Sequence, residues 1–108
     1  MRQMSGHEAR EIVGTWVRSE RIGRGYSRAQ FVRYLRERGV KGITPSAVRW
    51  WEEWVSFPRP PVLALLVHVL EADAPTARRL VAARLCLDVR DLVGLLSDNC
   101  GYWDVWGE

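Results

Sequence analysis

One hundred and eight residues make one domain with a single modest core, and 47% hydrophobic with 27% charged residues excludes a disordered chain. The longest apolar run, residues 62–67, falls far short of the roughly 20 residues that a membrane-spanning helix needs. The net charge of +3 is unevenly spread: residues 1–60 carry 12 Lys or Arg against 6 Asp or Glu, and residues 61–108 carry 4 against 7. The basic half is a candidate face for a polyanion, with a solvated arginine-rich helix surface as the other reading. Residues 1–7 lack the apolar stretch of a secretory signal, and two cysteines, Cys86 and Cys100, make no disulfide framework, so the expected location is the cytoplasm.

In chain order, Ala9, Ile12, Val13, Trp16 and Val17 recur at helical spacing and predict a first helix over 9–22, stopped by Gly23 and Gly25. Ser27 with Gln30 three residues later has the capping-box pattern, and opens a second helix over 28–38. That helix buries Phe31, Val32 and Leu35, exposes Arg28, Arg33, Arg36 and Arg38, and ends at Gly39. After a connection over 40–43, Thr44 caps a third helix with Pro45 at its first position, running to residue 55. Residues 57–61, Phe-Pro-Arg-Pro-Pro, break it and start a fourth over 61–72. Residues 73–76 restart the chain into a fifth helix over 76–86, and a short sixth covers 88–97. Residues 98–101 end regular structure ahead of an aromatic tail, Tyr102, Trp103, Val105 and Trp106. No segment alternates as a strand does, and the expected class is all-α, a bundle of five to six helices.

Two successive capped helices with a basic exposed face in the basic half of the chain point to a helix-turn-helix. Gly14-x-x-Val17-Arg18-x-x-Arg21-x-x-x-Gly25-Tyr26-Ser27-x-x-Gln30-Phe31 resembles the opening of helix-turn-helix domains of the Cro and lambda-repressor type, the XRE family. Thr44-x-Ser46-x-Val48-x-x-Trp51-Glu52, with Pro58 six residues on, resembles the same family, and the likeness covers residues 10–72. It implies a lambda-repressor-like DNA-binding domain over 1–74, with a helical extension and tail over 75–108. The implied function is a sequence-specific transcriptional regulator of double-stranded DNA, acting as a homodimer. Arg21 and Glu52 match the family's structural ion pair. The third helix would enter the major groove with Pro45, Ser46, Ala47, Arg49 and Trp50 at base edges. Arg49 is the best base reader among them, because a guanidinium fork bonds guanine O6 and N7 together. Phosphate contacts fall to Ser27 and Arg28 at the start of the second helix, and to Arg24, Lys41 and Arg59 in loops.

The chain departs from the family pattern in three places. Ser27 to Thr44 is a longer interval, Trp54 stands where glycine is common, and Trp50 replaces a polar base-reading residue. An exposed Trp50/Trp54 pair, or the aromatic tail, would instead dock a protein partner, which makes an interaction module (an antitoxin or adaptor) the alternative. The apolar residues between Leu80 and Leu96 exceed the needs of one small core and point to a homodimer. No catalytic, cofactor or metal pattern is found. His7 and His68 have no partners in sequence, Cys86 and Cys100 lack a second pair, and Gly23-Arg24-Gly25 follows no strand.

Overall fold

The computed structural model describes residues 4–98, with side chains as far as Asp88. Five helices follow one another: α1 (Gly6–Gly23), α2 (Arg28–Glu37), α3 (Pro45–Glu52), α4 (Pro60–Val69) and α5 (Ala74–Asp98). There is no strand among the described residues, and the all-α expectation holds.

Each start has a local chemical cause. Ser5 Oγ accepts from the Glu8 amide at 3.0 Å and the Glu8 carboxylate accepts from the Ser5 amide, so α1 begins three residues ahead of its apolar stripe. Ser27 and Gln30 make the same reciprocal pair for α2, at 3.2 and 2.8 Å. Thr44 Oγ1 accepts from the Ala47 amide at 3.1 Å, and Pro45 fills the first position of α3, where an amide hydrogen has no helical partner anyway. Pro60 and Pro61 do the same for α4, and Asp73 accepts from the Thr76 amide at 2.8 Å to start α5.

Besides the early start of α1, several boundaries differ from the sequence expectation: the fourth helix ends at Val69 and not at 72, ahead of Glu71 at φ +53°, and the fifth starts at Ala74 and not at 76. The third helix stops at Glu52 and not at 55, because Trp54 takes a left-handed backbone, φ +62°. The separate fifth and sixth helices are one, since nothing between Thr76 and Asp98 breaks the backbone and Leu87 is buried in register with Ala83. Residues 99–108, with Cys100 and the aromatic tail, lie outside the described residues.

The core has two parts. In the first, Val17 of α1 meets Phe31, Val32 and Leu35 of α2, Val48 and Trp51 of α3, Leu66 of α4 and Leu70 just past its end. The connection between α2 and α3 joins this core through Val40 and Ile43. Gly39 and Gly42, at φ +95° and +75°, make the turns that point these two inward, and Arg36 Nη2 clamps the Ile43 carbonyl at 2.7 Å. In the second part α5 lies antiparallel against α1: Ala9 packs with Ala83 and Leu87, and Val13 with Leu80 and with Leu63 of α4. Paired alanines at 9 and 83 bring the two helix axes close.

Candidate nucleic-acid interface

Helical periodicity splits α3 cleanly. Val48, Trp51 and Glu52 face inward, while Pro45, Ser46, Arg49 and Trp50 are exposed and Ala47 is half-buried. All five residues expected at base edges therefore sit on the solvent side of one short helix or at its margin. Trp50 is 51% exposed, an unusual surface for an indole. Arg49 Nε lies 3.0 Å from Glu53 one turn on, an ion pair exposed on both sides.

The inward side of α3 carries the charge that fixes its place. Glu52 is buried, and Arg21 of α1 grips it with both ends of the fork, Nε to Oε2 at 2.7 Å and Nη2 to Oε1 at 2.9 Å. Arg21 Nη1 also donates to the Tyr26 carbonyl at 2.9 Å, which pins the chain just before α2. The hydrogen bond to Glu52 raises the Arg21 pKa above its ordinary value, against the opposing effect of burial. Arg28, at the first position of α2, adds two longer contacts to Glu52 Oε1, at 3.2 and 3.1 Å. One carboxylate thus ties three helices together, and the cluster keeps one positive charge in excess.

Arg28 was placed by the sequence at a phosphate, and the structure turns it toward Glu52 while leaving about a third of its side chain exposed. Arg24 pairs with Glu20 at 2.6 Å, bonds the Glu20 carbonyl at 3.1 Å, and lies 5.6 Å from the centre of the Tyr34 ring. The Glu20 hydrogen bond raises its pKa as well. Ser27 is occupied as the α2 cap. Lys41 in the connection and Arg59 before α4 are exposed, without an ion pair among the described residues. Sequence reasoning missed a cleft of about 440 Å³ between α2 and the start of α3, walled by Arg33, Arg36 and Pro45. The spacing of Ala29, Arg33 and Arg36 on one helix face is the signal that marks it.

Trp54, 38% exposed, lies against α1 at Gly14. A Cβ at Gly14 would come within 2.6 Å of the Trp54 ring and would collide with the Trp51 carbonyl, so this crossing requires glycine. The His7 ring stands edge-on to Trp54, 5.5 Å between centres at 84°.

No group of three His, Cys, Asp or Glu able to hold a metal lies together among the described residues, and no helix there is long and apolar enough to cross a membrane. No family model, no curated protein and no solved structure matches this chain.

Proposed function

We propose that the chain is a cytoplasmic transcriptional regulator that binds double-stranded DNA as a homodimer. In this reading α2 and α3 form a helix-turn-helix of the lambda-repressor type, with α3 in the major groove. The observation that carries it is the division of α3: an inner side locked by Trp51 and the Arg21–Glu52–Arg28 cluster, and an outer side of Pro45, Ser46, Arg49 and Trp50 left to solvent. Arg49 bonds guanine through its fork, which is worth about 1–3 kcal/mol of discrimination. Its exposed pair with Glu53, at about 0.3–0.5 kcal/mol, is too weak to hold it back. Trp50 packs on thymine methyls or sugars, Ser46 bonds a base edge, and Ala47 and Pro45 lie at the groove floor. Ser27, Arg24, Arg28, Lys41 and Arg59, together with Arg33 in the cleft, contact phosphates and set the register. Two copies then meet successive major grooves about 34–36 Å apart on a near-palindromic site, over a promoter where polymerase is blocked or recruited.

The exposure of Trp50 at 51%, with Val55 close by at 63%, favours a second reading, a protein-interaction module that docks through these side chains. Selection of sites from a random duplex pool, followed by affinities over a salt series, separates the two. A symmetric motif bound at least about a thousandfold more tightly than bulk DNA is the expected result. Arg49→Ala then weakens specific binding and leaves the salt slope nearly unchanged. Absence of binding even at low salt overturns the DNA reading and leaves the Trp50 face to a protein.

A further inference from the structure

The seam between α1 and α5 opens on one side into a cleft of about 370 Å³ whose floor and rim differ in chemistry. The floor is apolar: Ile12 and Trp16 of α1 lie half-buried against Leu80 of α5, which is out of solvent. The rim is charged and hydroxylated. Glu11 stands on the α1 side with Thr15 one turn on, and Arg79 stands exposed on the α5 side. Glu20, Glu52 and Glu53 each take an arginine in this fold. Glu11 and Arg79 line one cleft, yet they pair neither with each other nor with any other side chain among the described residues.

We infer that this cleft binds an apolar α-amino acid, with its head group on the two free charges and its side chain on the floor. The charges exclude simpler ligands. A bare carboxylate would meet Arg79 but be set against Glu11, and a bare amine would suffer the reverse. A molecule with both charges on one carbon satisfies both sides at once. The register that packs Ala9 on Ala83 and Val13 with Leu80 staggers Glu11 and Arg79 by two to three residues, about 4 Å along the groove. That offset places an ammonium toward Glu11 and a carboxylate toward Arg79, whose fork can donate two hydrogen bonds to it. Thr15 supplies a hydroxyl beside the head group. A side chain from valine to phenylalanine in size then covers Ile12, Trp16 and Leu80, and burial of that apolar surface drives binding. The cleft lies at the small end of ligand pockets, which suits a single amino acid. No residue of α2 or α3 lines it, so the inference stands independently of the proposed DNA binding.

Isothermal titration calorimetry of the full chain with L-leucine, at about pH 6 where an α-amino group holds its proton, tests it. The expected result is one-to-one binding. Leucinamide, which lacks the carboxylate, and isocaproate, which lacks the ammonium, should each bind at least about tenfold more weakly. Arg79→Gln should weaken leucine binding and abolish the preference for leucine over leucinamide. Glu11→Gln should instead abolish the preference over isocaproate. Neither variant should move the urea midpoint of the ligand-free chain, since neither side chain has a partner to lose. Because the ligand spans α1 and α5, leucine should also raise the thermal midpoint of the wild type, and Arg79→Gln should reduce that rise. Absence of binding by leucine, valine and phenylalanine at millimolar concentration overturns the proposal. So does a wild type that binds leucinamide as well as leucine, or a preference that survives Arg79→Gln.

Discussion

Glu52 is a carboxylate nearly out of solvent with two guanidinium groups against it, and the partners are unequal. Arg21 satisfies both oxygens at short range, so Arg28 is the spare cation. Glu52→Gln should lower unfolding stability by about 3 kcal/mol, because two arginines then face no charge. Arg28→Ala should cost less than about 1 kcal/mol, since its side chain is a third exposed and Arg21 still covers the acid. Urea denaturation of both variants checks the order. Gly14 makes a comparable demand by shape: Gly14→Ala should destabilise by about 2 kcal/mol in the same assay. Trp54→Gly in that background should not rescue it, because the Trp51 carbonyl still blocks the new methyl group. At this scale the sequence was legible only in part. Arg28 beside a helix start reads as an anion site, and nothing in local spacing reveals that Glu52, 24 positions on, lies next to it. Trp54 reads as one more helical residue because only glycine advertises a left-handed backbone, and here packing on α1 imposes one on an indole.

Helices as units were more legible than their ends. Apolar periodicity and caps such as Ser27 with Gln30 are local, so each helix was visible within its own segment. The Ser5–Glu8 box has the same spacing, but it precedes the stripe that drew the boundary at residue 9. The break expected near residue 87 failed for the opposite reason, since a long helix with two apolar faces shows no single clean period. Capping also gives α5 a pH dependence. The hydrogen bonds from Thr76 hold the Asp73 carboxyl below its ordinary pKa, so its contribution is full above the unfolded value of about 4 and fades as pH falls through the lower folded value. Thermal unfolding followed by circular dichroism should therefore show acid loss that Asp73→Asn lacks in part. At neutral pH that variant should stay near wild type, because asparagine caps comparably.

At the scale of the whole molecule, charge is divided along the chain, with an excess of cations in residues 1–60 and of acids thereafter. That division was readable from composition, but the pairing of cations was not. Arg24, Arg28 and Arg49 each meet a carboxylate in the fold, while Lys41 and Arg59 do not among the described residues. If the proposed DNA binding holds, Lys41→Ala and Arg59→Ala should each reduce the slope of log affinity against log salt by about 1. They should do so equally on specific and bulk DNA, which filter binding over a salt series would resolve.

The pairing of α1 with α5 joins the two ends of the described chain, and this has a kinetic consequence that can be tested. Cys86 Sγ meets the Met4 carbonyl at 2.9 Å across 82 positions of chain, and Ala83 closes on Ala9 beside it. Closing so long a loop is entropically costly until the intervening helices have docked and shortened it. The α1–α5 seam is therefore expected to form last and to open first. Ala83→Gly should speed unfolding severalfold and leave the refolding rate nearly untouched, a near-zero φ-value in stopped-flow chevron measurements. Core changes at Phe31 or Val48, between neighbouring helices, should instead slow refolding.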